Sequence, residues 1–171
     1  MNAQTVFLGA LALLPLLASA APVETLGSKH TAFLASCTST ECPLGLCDPD
    51  DYNISGAAYF VNGPPTGTTA SATAFAVTSN SRWEGVTRSV TWSRYGSFKI
   101  NIDAKAASLP KGEIAGQATL TATGAADELF LCFKEGNTKF RTNYQGDAYS
   151  CTAAYYCPSI QTGTLTPTTP A

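Results

Sequence analysis

Histidine is almost absent: the chain has one, His30. Nucleophile–histidine catalysis needs an imidazole held rigidly against its nucleophile. His30 lies ahead of the first cysteine, in a stretch from Ala21 to Ala35 with little periodicity, and reads as an exposed linker residue. That argues against Ser–His–Asp hydrolases, Cys–His proteases, histidine-dependent ribonucleases and multi-histidine metal enzymes. Charge is scarce as well, at 13% of residues with a net charge of −2 and a pI near 5.3. A nucleic-acid partner needs a basic stripe to displace counterions, so none is expected. Cysteine pairs of the CxxC type are missing, which removes the usual zinc spacing. No metal or cofactor is expected.

Long apolar runs are missing too. The longest, Val6–Leu17, has twelve residues, short of the roughly 20 that a spanning helix needs. It is followed by Ala18-Ser19-Ala20 and then Ala21-Pro22, small residues at the positions a signal peptidase reads. Met1–Thr5 carries no Lys or Arg, so the α-amino group supplies the positive charge there. The expectation is a signal peptide at 1–20, cleavage after Ala20, and a secreted, extracellular product without a membrane span. The remaining length suits one domain.

What the chain does have is six cysteines, Cys37, Cys42, Cys47, Cys132, Cys151 and Cys157, all beyond residue 20. In an oxidising compartment an even number reads as a disulfide framework. Fifteen pairings exist and spacing does not choose among them. Parity does constrain them: with three cysteines early and three late, complete pairing requires at least one bridge between the groups. That bridge would bring the two ends of the domain together. The alternative leaves one cysteine of each group free or paired between chains.

Strand patterning dominates the body. Gly96 to Asp103 sets Phe98, Ile100 and Ile102 against Lys99, Asn101 and Asp103, the alternation of a half-buried strand. Ile114 to Ala122 sets Ile114, Gly116, Ala118 and Leu120 against Gln117, Thr119 and Thr121. Ala57–Val61, Ala70–Thr78, Ser89–Tyr95 and Ala148–Tyr156 read as further strands. Leu129–Lys134 and Thr138–Thr142 flank Gly136-Asn137, a pair suited to a two-residue hairpin turn. Cys151 and Cys157, six residues apart in one strand, are expected on the same face. Ala104–Leu109 offers at most a turn or two of helix. The expected fold is mainly β: an antiparallel sandwich or partly closed barrel of about eight short strands, stapled by disulfides. A helical pair on a smaller sheet is the alternative. The divisions are a flexible leader at 21–36, one β domain at 37–158 and a Thr/Pro-rich tail at 159–171, a composition that often carries O-linked sugars.

Candidate chemistry is thin. Glu84, Asp103, Glu113 and Asp127 are acids for a carboxylate-dependent glycosidase, which needs two of them across a cleft; solvated turn positions are the simpler account. Asp48, Asp50 and Asp51 resemble the start of a calcium loop, but Asn53 and Tyr59 stand where an EF-hand needs Gly and Glu. Asn53-Ile54-Ser55 is an N-glycosylation sequon. Trp83, Trp92, Tyr95, Tyr155 and Tyr156 are candidate binding aromatics, with Tyr155 and Tyr156 facing opposite ways in a strand. Core packing is the competing role for each.

The Ala18-Ser19-Ala20 boundary, the even cysteine count and the closing block Phe130-Leu131-Cys132-Phe133-Lys134 … Cys151-Thr152-Ala153-Ala154-Tyr155-Tyr156-Cys157 resemble the small secreted, cysteine-containing, effector-like proteins of filamentous fungi. More loosely the chain is similar to the β-barrel fungal allergens related to the major Alternaria allergen, although its grouping of cysteines differs. Hydrophobins are excluded, since no two cysteines are adjacent. The resemblance implies a non-enzymatic virulence or effector protein that binds a host protein or a cell-wall glycan, and the Asn53 sequon would make it a glycoprotein. It brings no catalytic residue with it. A lectin-like wall module is the second expectation, a small glycosidase the third.

Overall fold

The computed structural model describes residues 30–40, 53–78, 82–122 and 124–160. The expected signal peptide, Cys42, Cys47, the Asp48–Asp51 turn and the tail from 161 lie outside the described residues. Among the described residues nine strands run β1 Thr31–Ser39, β2 Asn53–Phe60, β3 Ala74–Thr78, β4 Thr87–Trp92, β5 Gly96–Ile102, β6 Ile114–Thr121, β7 Glu128–Lys134, β8 Lys139–Tyr144 and β9 Asp147–Pro158. The only helical element among the described residues is a single 3-10 turn, Ala106–Ser108. Eight strands pair in the order β3-β2-β1-β9-β7-β6-β5-β4. Every pairing along this path is antiparallel. The end strands β3 and β4 come side by side, so the sheet is a nearly closed barrel. The helical alternative is thereby set aside.

The ninth strand builds something the sequence did not suggest. β8 pairs with the first half of β9. Its other edge takes up the approach to β3: Ala72 N donates to Arg141 O at 3.1 Å, and Arg141 N to Ala70 O at 2.9 Å. A second, smaller ring therefore closes through β2, β1, β9, β8 and the segment that leads into β3. The two rings share the wall β2-β1-β9, and each has its own core. In the first, Trp92, Phe98, Ile100, Ile102, Phe130 and Tyr59 meet; in the second, Phe33, Phe60, Phe140 and Tyr149 meet.

A shared wall is buried on both sides, and this explains the strand that patterning missed. In β1, Thr31 to Ala35 are all buried. Ala32 and Leu34 point into the first core and Phe33, Ala35 and Cys37 into the second. Such a strand shows no apolar–polar alternation. The expected flexible leader, 21–36, is corrected accordingly: residues 31–36 form the middle of the sheet.

Two bulges change which face a side chain takes. The β1–β9 register steps from Leu34↔Tyr155 to Ala35↔Ala153, leaving Ala154 as the extra residue. One inserted residue reverses the parity of everything beyond it. Cys151 thus lies in the second core and Cys157 in the first, not on one face as the six-residue spacing suggested. Likewise Ala115 is extra between Ile114↔Phe133 and Gly116↔Cys132, so Ala115 is buried while Ile114 is 57% exposed.

The expected hairpin at Gly136-Asn137 is also corrected. β7 and β8 do not pair with each other; this link carries the chain from the first ring to the second. Glu135 Oε1 holds it, accepting from Asn137 N at 3.1 Å and Thr138 N at 3.2 Å. The two-residue hairpin lies instead between β8 and β9, where Gln145 and Gly146 both have positive φ, 54° and 99°, the backbone of a type I′ turn.

Each core holds one disulfide. Cys37–Cys151 joins directly opposed residues of β1 and β9, which is the early-to-late bridge that parity required. Cys132–Cys157 ties β7 to β9.

Candidate functional site

One mouth of the larger barrel is closed by polar and aromatic groups. His30, just before β1, directs Nδ1 to both carboxylate oxygens of Glu128 at 2.9 Å. The Glu128 side chain is 7% exposed and that of His30 24%. The His30 carbonyl accepts from Ser159 N at 2.9 Å, and its ring meets the Tyr59 ring edge-on at 5.6 Å. The linker reading of His30 is therefore wrong: it is fixed at three points. Tyr59 in turn contacts Tyr95 at 4.8 Å. Burial, then the Glu128 carboxylate and Tyr95, push the Tyr59 hydroxyl far above the ordinary phenol range, so it stays neutral. Chemically this is an imidazole oriented by a carboxylate, with a phenol beside them. A signal for it existed in the sequence. Glu128 is in phase with the inward residues Phe130 and Cys132, and His30 with Ala32 and Leu34.

Beside this cluster the β4–β5 turn overhangs the sheet. Tyr95 N donates to Trp92 O at 2.9 Å, closing the turn. Gly96 follows with φ 117°. A Cβ there would stand 2.2 Å from the carbonyl oxygen of Thr121, so only glycine lets the turn lie this close to β6. The result is an open groove of about 480 Å³ lined by residues 91–97 and by Thr121 and Ala122. Its floor is a row of opposed outward residues on three strands, Thr91, Ser97 and Thr121. Arg94 is exposed on the turn.

The proposed binding aromatics do not assemble. Trp83 is 2% exposed, Trp92 1% and Tyr155 0%, so no ligand can stack on them. Trp92 and Tyr155 are core because their strand positions point inward: Trp92 lies between Tyr59 and Phe98, with ring centres 4.9 and 4.7 Å away. Its indole N–H donates to the Ala57 carbonyl at 3.1 Å. The Trp83 indole N–H has no partner. Tyr156 is half-buried against the second core, opposite to Tyr155 as strand geometry requires. Of the five, Trp92 and Tyr95 border the groove, and Trp92 does so with a ring that is buried.

Asn53 is exposed at the start of β2, and its Oδ1 accepts from Thr38 Oγ1 at 3.0 Å. Among the acids, Asp103, Glu113 and Asp127 are exposed. Glu84 is half-buried and accepts a short hydrogen bond from the Tyr155 hydroxyl; Lys134 Nζ sits over the Tyr155 ring, 4.8 Å from its centre.

Burial by itself would raise the Glu84 carboxyl. The Tyr155 hydroxyl, the Glu84 and Trp83 backbone N–H groups and the Lys134 charge outweigh it, and the carboxyl is held below its ordinary range. A glycosidase acid needs the opposite shift. The same sign governs stability. A depressed folded value means the contact stabilises the fold above the unfolded carboxylate's titration and is lost as pH falls through the folded value. Tyr155→Phe, which removes the donor, should therefore make acid destabilisation shallower. Urea midpoints for both proteins at neutral and acid pH will show this; an unchanged difference between the two pH values would mean that the contact does not set the Glu84 titration.

No family model matches the chain, and comparisons with curated proteins and with solved structures found no match.

Proposed function

We propose that this chain is an exported, non-enzymatic binding protein, effector-like in kind, that engages a host protein or a cell-wall glycan through the groove under the β4–β5 turn. One observation carries the reading. The barrel interior is filled by aromatic and branched side chains, whereas the groove lies outside it on a rigid strand floor. A core packed in this way favours recognition at the rim and loops that the scaffold holds in place. Export is supported by the disulfide in each core and by the apolar opening segment followed by small residues. Among the described residues no helix is long and apolar enough to cross a membrane. Asn53, exposed beside β1, is the position expected to carry an N-linked glycan.

The test uses protein recovered from a secreting host, immobilised and offered purified wall polysaccharides and defined host extracellular proteins. Retention of one ligand class, lost in Ser97→Trp with the fold intact, is the expected result, because that substitution fills the groove from an outward position. A catalytic reading has its own support in the His30–Glu128 pair. Turnover of a substrate that disappears in His30→Ala, with binding unaffected by Ser97→Trp, would replace the binding reading with it.

A further inference from the structure

The outward face of β4, β5 and β6 is continuous with the groove floor. Behind the row Thr91–Ser97–Thr121, strand register places a second row, Ser89–Lys99–Thr119, and a third, Thr87–Asn101–Gln117. Hydroxyls and amides fill this panel, with one ammonium and no carboxylate. The groove lining likewise holds a guanidinium, Arg94, and no acid. Lys139 and Arg141 form a second acid-free, two-cation face on β8 and β9, but only the β4–β6 panel continues into the groove. The ion pairs His30–Glu128 and Lys111–Glu135 lie elsewhere, and neither Arg94 nor Lys99 has a salt-bridge partner among the described residues. The one side-chain hydrogen bond within the panel joins Ser89 Oγ and Ser97 Oγ at 3.0 Å. The other hydroxyls are available to a ligand.

We infer that this panel and groove bind a carboxylated polysaccharide, a uronate polymer. The inference rests on the binding reading above and names its ligand class. Strands stand about 4.8 Å apart, so a polyol chain crossing them meets a new donor or acceptor at each step. Hydroxyl and amide side chains exchange hydrogen bonds with sugar hydroxyls in either direction. The Arg94 fork matches a carboxylate in geometry as well as charge, and Lys99 supplies a second point charge one row behind. A neutral glycan would leave both cations unused. A host protein would need an apolar centre, which these nine positions lack.

The experiment titrates the secreted protein, disulfides intact, with polygalacturonate, the same polymer methyl-esterified, a neutral β-glucan and single-stranded DNA. Binding to polygalacturonate is expected, falling about tenfold or more on esterification and weakening as salt rises. Arg94→Gln should lose about tenfold, the worth of one charge-assisted pair. Arg94→Lys should lose less, and Lys99→Gln only a few-fold. Arg94 and Lys99 are exposed, so far-UV dichroism and the unfolding midpoint should stay as in the parent. Equal affinity for esterified and free polymer, equal affinity for DNA, or wild-type binding by both Arg94→Gln and Lys99→Gln would each overturn the uronate assignment. If a β-glucan or a host protein is retained instead, and Ser97→Trp abolishes that, the ligand class is wrong while the binding reading stands. If nothing is retained, both fall.

Discussion

Replacing Cys37 and Cys151 together by alanine is expected to lower the unfolding free energy by about 4–5 kcal/mol, against about 3–4 kcal/mol for Cys132 and Cys157. The bridged residues are 114 apart in sequence in the first pair and 25 in the second. In the chain-entropy view the longer loop restricts the unfolded ensemble more. The larger loss thus falls on the smaller ring, whose core is built around Phe33, Phe60 and Phe140. Its position makes the test informative beyond magnitude. Both tryptophans, Trp83 and Trp92, lie in the other core, so their fluorescence reports on a core that does not contain the deleted bridge. Because β1, β2 and β9 serve both cores, opening one ring removes a wall of the other, and the two should unfold together. In denaturant, tryptophan fluorescence and far-UV dichroism of the double variant are expected to move to one lower midpoint. An early dichroism transition with fluorescence unmoved would show two independently folding rings, and the shared wall would not be the source of cooperativity.

That shared wall is also where sequence and structure part. Strands with one wet face announce themselves: Phe98, Ile100 and Ile102 alternate with exposed Lys99 and Asn101 and are buried as expected. β1 does not, because Phe33 and Leu34 are both core residues of different cores. A run of small apolar residues such as Ala32, Ala35, Ala57 and Ala58 then looks featureless, although small side chains are what allow the middle strands to be covered on both sides. Bulges at Ala115 and Ala154 are invisible for a related reason. They are set by pairing with distant strands, and nothing local to Ile114 or Cys157 records the inserted residue. Parity of the cysteines survived these difficulties because it depends on counting and not on faces. For the site, the aromatics are visible in the sequence and the groove is not. A groove made by an overhanging turn arises from Gly96 packing against the Thr121 carbonyl, a contact between residues 25 apart that no short pattern contains.

Trp92→Ala is expected to cost about 3–5 kcal/mol, while Thr91→Val beside it changes stability by less than about 0.5 kcal/mol. The two residues are neighbours in β4, one 1% exposed and the other on the solvent face. Removing the indole leaves a void between Tyr59 and Phe98, and the Ala57 carbonyl loses its donor. Trp92→Phe separates these effects. It retains an aromatic ring in the stack and gives up the N–H, for which about 1–2 kcal/mol is expected. Denaturant midpoints of the three variants give the stabilities, and glycan titration gives the second half of the argument. If Trp92 is core, Trp92→Phe binds as the parent does, because the ring never meets a ligand. Thr91→Val removes a hydroxyl from the groove floor and should weaken binding several-fold in a fully stable protein. The reverse outcome, a stable Trp92→Phe that no longer binds beside a Thr91→Val that does, would return recognition to the aromatic rings and take it away from the hydroxyl panel.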